Sequence, residues 1–520
     1  MSLDPITLSV LRSALAGIAE EMGTVLVRSA YSSNIKERRD CSAAVFDAQA
    51  RLVAQAEHIP VHLGAMPESV AAVRERGARP GETWILNDPY TGGTHLPDVT
   101  LVTPVGVDGE VVAYAVTRAH HSDVGGMSPG SMPAASRDLW QEGLVIPPVR
   151  LTDEVLELVC ANSRTPRLRR GDFRAQAAAN RTGARRVVQL VDRFGLPTLL
   201  AGFDEVLAYA ERRTREALRA LPDGVYRAET ELEGDGVTDA DIPIRVAVTI
   251  DGDAATIDLA GTSDAVEGNV NCPLAVTRSA CFFALRVLLP DDVPACAGTY
   301  VPLEIRAPEG SLVNARPPHA VVAGNVETSQ RVADAVLAAL AQVADVPAGG
   351  AGTMNNTVIG GRGWTYYETV AGGQGASSSA DGPSGVHVGM TNTLNTPIEA
   401  LELEYPMRVE RYELADGSGG PGAHRGGDGV IRAIRVLEEA NLNLLTDRRR
   451  HAPAGLAGGA DGAMGRNLVD DGTGAVDLPP KVATHLGAGD VVTVVTPGGG
   501  GWGPSSGGVT DGSEPGESPA

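Results

Sequence analysis

Apolar residues Leu8, Leu11, Leu15, Ile18, Met22 and Leu26 recur at three- and four-residue steps near the start of the chain. They predict one long amphipathic helix, with Asp4 as its N-cap and Pro5 at the first helical position. The period then changes. CSAAVFDAQARLVAQ, from Cys41 to Gln55, reads as a hairpin of two β-prone runs around Asp47. HLGAMPESVAAVRERG contains a short helix near Pro67, and TWILNDP a short strand. VTLVTPVGVDGEVVAYAVTRAHH predicts two strands joined at Asp108-Gly109, a hairpin turn signal.

Residues 173–220 alternate apolar faces with Arg/Glu faces and predict helices. Strands return at GVYRAETELEGDG and IPIRVAVTIDGDAATIDLAGT, and PLAVTRSACFFALRVLL and VETSQRVADAVLAALAQV predict two more helices. From about residue 345 the chain becomes glycine-rich, with short strands such as TVIGGRGWTYYETVAGG and GVIRAIRVL. The expected class is α+β, mixed and multi-domain. It divides into an N-terminal α+β region at 1–172, a central helical and sheet region at 173–345 and a glycine-rich, β-rich region at 346–504. A polar Gly/Ser/Pro tail at 505–520 is expected to be disordered. There is no internal repeat.

Composition narrows the chemistry. A formal net charge of −22 argues against non-specific binding to nucleic acid or anionic membrane, both of which need basic surface. Only two of the 43 cationic residues are lysine, Lys36 and Lys481, and neither lies in a P-loop, so that mode of nucleotide binding is excluded. The five cysteines are odd in number and form no C-x-x-C, which speaks against a disulfide framework or a cysteine zinc site. Without a signal-like N-terminus or an 18-residue apolar run, the expectation is a reduced, soluble, cytoplasmic protein. No G-x-S-x-G elbow supports a serine hydrolase.

Five of the ten histidines fall between residues 58 and 121. EHIPVHLG supplies His58 and His62, GGTHLPD supplies His95 and Asp98, and RAHHSDVGG supplies His120, His121 and Asp123. Imidazole and carboxylate together suit Zn, Mn or Fe(II), and H-x-x-D on a stiff turn can offer two ligands to one ion. GNVETSQR crowds Asn325, Glu327 and Arg331 around a helix start, far in sequence from these motifs. That suits a substrate-facing helix end, so these three residues are candidate substrate-binding groups. The glycine match in TPGGGGWG is followed by no helix, so it is read as a tight turn or close backbone approach, not a dinucleotide site. The polar stretch at 372–399, with His387, Asn392 and Asn395, is long enough to suggest a functional loop. No specific role follows for His58, His62, His387 or the GGGGWG turn.

Seven ordered blocks closely resemble the hydantoinase B/5-oxoprolinase family. They are RRDCSAAVFDAQARLVAQAEHIPVHLGAMPESV, NDPYTGGTHLPDVTLVTPV, RAHHSDVGGMSPGSMP, WQEGLVIPPVRL, GNVETSQRV, MTNTLNTPIEALELEYP and TPGGGGWG. Together they extend the resemblance over about residues 4–504. Cys41 departs from the aromatic residue often found there, with meaning for packing only. The resemblance implies a division of labour: a hydantoinase A-like subunit uses ATP to phosphorylate the substrate's carbonyl oxygen, and the B-type subunit hydrolyses the activated cyclic amide. It also implies a Mn-type divalent site at His95, Asp98 and His120. His121 and Asp123 are then the catalytic candidates for moving a proton. Two alternatives stay open, a ketone carboxylase subunit with the same metal site and a non-catalytic scaffold.

Overall fold

The first apolar stripe forms the helix Pro5–Ser29, with the Asp4 side chain accepting from the Ile6 and Thr7 amides. Leu11, Leu15, Ile18, Met22 and Leu26 of this stripe are buried. At about 1.5–3 kcal/mol per buried aliphatic side chain, docking onto the fold outweighs intrinsic propensity in holding the helix. The structure, a computed structural model, describes residues 3–57 and 59–505. His58 and nearly all of the expected tail lie outside the described residues.

The helix packs on a six-stranded antiparallel sheet of β1 (Cys41–Asp47), β2 (Leu52–Glu57), β3 (Trp84–Leu86), β4 (Asp98–Val107), β5 (Glu110–His120) and β6 (Val149–Arg150). The strand order is β2-β1-β5-β4-β3-β6. Both faces are covered, which is why β1 reads as a continuous run without apolar/polar alternation. One face meets the helices Pro5–Ser29 and Pro166–Phe194 through Ala43, Val45, Ala115 and Ala119. The other meets the helix Met66–Glu75 through Ala44, Phe46, Tyr114 and Val116. The helix beginning at Pro166 thus runs across the expected boundary at 172 and belongs to the core of the first sheet.

β4 and β5 meet at the Asp108-Gly109 turn, where both residues adopt positive φ (52° and 87°), as a two-residue hairpin requires. The pairing starts at Val107↔Glu110 and continues to Gly106↔Val111, then shifts by one so that Val105 faces Ala113. Beyond this bulge Asp98 stands directly opposite His120.

The central sheet pairs Gly224–Glu233, Asp241–Asp251, Ala254–Asp258 and Leu303–Arg306, and its apolar face packs with the helices Leu274–Leu288 and Ser329–Leu340 in one core. Two further sheets enclose a core of Ile359, Tyr366, Leu401, Ile434, Leu442 and Val492. Beside them the glycine-rich segments pack backbone against backbone: the Gly427 amide bonds the Gln374 carbonyl, Gly499 bonds Gly427, and Gly500 bonds Gly349. A Cβ on Gly499 would stand 2.1 Å from the Gln374 oxygen, so side chains are sterically excluded there. The GGGGWG segment is therefore a close approach between chain segments. The fold is α+β and multi-layered. Among the described residues, no helix is long and apolar enough to cross a membrane, and all five cysteines are free and buried.

Candidate metal centre

The segment NDPYTGGTHLPD is a stapled turn. Asp88 accepts from the Tyr90 amide (3.0 Å) and the Thr91 hydroxyl (2.9 Å), capping the single turn Pro89–Thr91. Asn87 donates to the Leu96 and Leu144 carbonyls and accepts from the Ile146 amide. Gly92 takes φ 87°, and its carbonyl accepts from Ser69 Oγ at 2.7 Å and Arg118 Nη2 at 2.8 Å. A Cβ at Gly92 would lie 2.4 Å from the Ser69 amide nitrogen. The Asp98 amide then bonds the His95 carbonyl at 3.0 Å, closing a tight turn that places both side chains on one side.

Three atoms meet at that point. His95 Nε2 lies 3.1 Å from Asp98 Oδ1, His120 Nδ1 lies 3.2 Å from the same oxygen, and the two nitrogens are 3.2 Å apart. Two ligands each about 2.1 Å from one ion, at angles between octahedral and tetrahedral, stand about 3.0–3.4 Å apart. The triangle therefore matches one face of such a coordination sphere, and the donor set of two imidazoles and a carboxylate suits a divalent transition ion. All three side chains are buried, and the outer ring nitrogens His95 Nδ1 and His120 Nε2 have no hydrogen-bond partner in the protein.

The electrostatics favour the ligating forms. Burial pushes the Asp98 carboxyl up, but the charge of His95 and hydrogen bonds from His120, His62 and His95 outweigh it, leaving the group well below the usual carboxylate range. Burial lowers His120 against the pull of Asp40 and Asp98, which favours the neutral imidazole that binds metals. The His120 ring stacks on Tyr367 at 4.3 Å between centroids. Tyr367 donates from its hydroxyl to Asn356 Oδ1 (3.0 Å), and Asn356 Nδ2 donates to Glu327 Oε1 (3.2 Å).

The remaining expected residues fall in different places. His121 follows His120 along the strand and so projects to the opposite face of the sheet. There it stacks on Phe173 at 4.2 Å and meets Gln176 at 2.9 Å. Burial and the Arg169 guanidinium push it down to about 3, far from the value a base needs near neutral pH. Asp123 accepts from the Gly125, Gly130 and Arg164 amides and pairs with the Arg164 guanidinium at 3.1 Å. It organises its own glycine loop, and neither residue is brought to the triangle.

Asn325 and Glu327 lie in a wide π turn, Gly324–Thr328, leading into the helix Ser329–Leu340. Both are buried, and Asn325 Oδ1 and Glu327 Oε2 lack partners. Arg331 is also buried. It bonds the Asp334 carboxylate and the Gly352 carbonyl, and its Nε lies 3.9 Å from Asp447. A groove of about 580 Å³ opens beside the same helix, lined by Gln330, Asp334, Leu337, Arg448 and His451, but none of the triangle residues lines it.

His62 was present in the sequence with no role attached, and it belongs here: its Nε2 lies 3.4 Å from Asp98 Oδ2. The signal available was its membership of the histidine-rich stretch, but only the fold reveals which of those histidines share a face. Of the loop 372–399, the first part joins the glycine packing. His387 lies within reach of Thr391 and Thr393, and Thr393 accepts from the buried Arg38.

Comparison with known proteins places the chain in a family and a fold. The Hydantoinase B/oxoprolinase family model matches residues 4–505. A candidate B-type subunit of a D-/L-hydantoinase from Pseudomonas sp. (strain NS671) is 35% identical, over 96% of this chain and 90% of that protein. 5-Oxoprolinase 1 of Arabidopsis thaliana is 39% identical over 96% of this chain, which spans only 42% of that longer protein. The crystal structure of ATP-dependent caprolactamase from Pseudomonas jessenii superposes with a TM-score of 0.91 at 29% identity, covering 97% of this chain and 92% of that one. The chain belongs to the hydantoinase B/oxoprolinase family.

Proposed function

We propose that this chain is the B-type subunit of an ATP-dependent hydrolase that opens a cyclic amide, working with a hydantoinase A-like, ATP-binding subunit. The observation that carries the reading is the buried triangle of His95 Nε2, Asp98 Oδ1 and His120 Nδ1, 3.1–3.2 Å on each side. The relatives' names supply the substrate class: 5-oxoproline, hydantoins and caprolactam are all cyclic amides or ureides. An unactivated amide resists water because resonance stabilises its carbonyl. Transfer of a phosphoryl group to the carbonyl oxygen, in the partner, removes that protection. Longer single-chain relatives, of which this chain spans 42%, are consistent with the second function residing elsewhere.

His95, Asp98 and His120 would hold the divalent ion, which when bound supplies Lewis-acid polarisation of a carbonyl or of water. The chain's own groups prepare that site. Asp98 stays ionised, and Tyr367 fixes the plane of the His120 ring. Burial excludes bulk water and strengthens every local field. Asn325 and Glu327, each with an unpartnered buried oxygen, are the groups for orienting substrate, with Arg331 steadying the turn that carries them.

Elemental analysis of the purified protein should find about one divalent transition ion per chain, and the His95→Ala/Asp98→Ala variant should hold none. With the A-type partner and ATP, the complex should open 5-oxoproline, a hydantoin or caprolactam, while the isolated chain turns over neither ATP nor the ring. Full metal occupancy in the double variant, or ATP-dependent turnover by the isolated chain, refutes the proposal.

A further inference from the structure

The two oxygens of Asp98 have different partners. Oδ1 faces His95 Nε2 and His120 Nδ1, whereas Oδ2 accepts from Thr94 Oγ1 at 2.5 Å and lies 3.4 Å from His62 Nε2. The other nitrogen of His62, Nδ1, is 2.9 Å from Ser42 Oγ. A hydroxyl can donate or accept, but a carboxylate oxygen can only accept. With Ser42 donating to Nδ1, the His62 proton sits on Nε2, the ring nitrogen 3.4 Å from Asp98 Oδ2; at that distance the two face each other without a formed hydrogen bond, and Nε2 has no other partner. The opposite tautomer would set a bare nitrogen lone pair against the carboxylate. The neighbours thus select the tautomer that turns an N–H to Asp98.

The fold holds His62 in place from outside the sheet. It ends the short turn Pro60–His62, whose Val61, with Ile59 just before it, is buried in the central core. The Gly64 amide bonds Ser279 Oγ at 2.8 Å, and a Cβ on Gly64 would stand 2.7 Å from the Ser279 backbone nitrogen. The turn is therefore pressed onto the helix Leu274–Leu288. Ser42 comes from β1 and pairs with Arg118 of β5, on the face that carries His120. His62 joins two cores at one carboxylate oxygen, and its side chain is 1% exposed.

We propose that His62, held by Ser42, is a positioning residue that keeps Asp98 a one-oxygen ligand by facing its N–H to Oδ2, so that Oδ1 alone completes the triangle. The inference rests on the reading of His95, Asp98 and His120 as the metal set. Hydrogen bonding to the outer atoms of metal ligands fixes their orientation, and its loss typically weakens metal affinity about 10–100-fold.

The test uses the full chain, stripped by chelation and titrated with Co(II), whose visible spectrum reports the ligand set. Wild type should bind about one Co(II) per chain, and His95→Ala/Asp98→Ala none. His62→Leu should still bind one ion, about 10–100-fold more weakly, with altered absorption bands as the freed Oδ2 joins Oδ1 on the ion. His62→Gln, which keeps an N–H donor, should recover part of the loss, and Ser42→Ala should show a smaller loss than His62→Leu. Melting curves of the metal-free proteins identify any variant that fails to fold. Should His62→Leu fail, His62→Gln and Ser42→Ala carry the test, and wild-type affinity in both overturns the proposal. Wild-type affinity in a folded His62→Leu overturns it as well. Wild-type bands together with wild-type affinity in His62→Gln also overturn it, because Asp98 would then stay a one-oxygen ligand without help from His62. If wild type binds no Co(II), the metal reading has failed, an outcome distinct from a wild type that binds and is indifferent to His62.

Discussion

Replacing Glu327 by Gln isolates the energetics of a carboxyl group that the fold keeps neutral. Its Oε1 accepts from the Met354 amide and Asn356 Nδ2, both at 3.2 Å, while Oε2 faces no donor. Burial, helped by the neighbouring Asp447 charge and opposed by Lys481 and Arg331, pushes the group up from 4.5 to about 8. Between these values the unfolded chain has lost the proton and the folded chain has kept it. The native state then holds more protons, so stability is fully present below 4.5, falls as pH rises and levels off above about 8. The slope for one such group is about 1.4 kcal/mol per pH unit, up to about 4 kcal/mol between pH 5 and 8. Gln reproduces the shape and neutrality of the protonated acid without the titration. Urea unfolding midpoints of the two proteins should therefore be close at pH 5, with the Gln variant gaining steadily to pH 8 and no further above it. A difference that stays flat from pH 5 to 8 would show that Glu327 is ionised in the folded protein and would refute the argument.

Gly92→Ala puts a methyl group 2.4 Å from the Ser69 amide nitrogen at a positive-φ position, so it should lower the melting temperature and reduce bound metal at least tenfold. Gly109→Ala has the same φ but nothing within 4 Å, and should cost only about 1 kcal/mol with metal content unchanged. Equal metal content in both variants would dissociate the turn from the site. Arg331→Ala removes a buried cation, but Asp334 keeps Arg448 (3.1 Å) and Asp447 keeps Lys481 (3.5 Å); with the Gly352 carbonyl left short of its donor, it should destabilise the chain by about 1–3 kcal/mol while leaving metal stoichiometry intact. A wild-type melting temperature with lost turnover would instead make Arg331 a direct substrate contact.

The elements visible in the sequence are those whose information is local. The first helix carries its cap, its proline and its stripe within 25 residues, and the Asp108-Gly109 turn announces its hairpin. The pairing of His95 with Asp98 was legible for the same reason, since a turn closed by the Asp98 amide on the His95 carbonyl needs only four residues. His62 was not legible as a partner of Asp98, because its turn is held by Ser279, 215 positions from Gly64. Nor was the burial of Arg331. A polar cluster at a helix start looks solvent-facing until the strand bearing Asn356 and the segment bearing Asp447, just past the strand Ala440–Leu445, close over it. In the glycine-rich region a close backbone approach at TPGGGGWG was legible, but not its partner, because nothing local marks packing between segments as distant as 349 and 500.

The irregularity in the β4–β5 hairpin works like a shift of reading frame. Counting outward from the Asp108-Gly109 turn in the register of Val107↔Glu110, Asp98 would fall opposite Ala119, and His121 would share its face. The extra residue taken up on β5 between Val111 and Ala113 changes the parity of everything beyond it, so that His120 arrives at the carboxylate and His121 turns to Phe173. The choice between two adjacent, chemically identical side chains is thus made more than six residues away, by residue count alone. Gly106 stands at that step, and a Cβ there would lie 2.5 Å from the Pro80 side chain. A substitution along this hairpin alters one side chain, whereas a one-residue insertion or deletion that neither the turn nor the bulge absorbs exchanges the whole inward-facing set beyond it. Length in the strand segments between the bulge and the site is therefore part of the site's chemical identity.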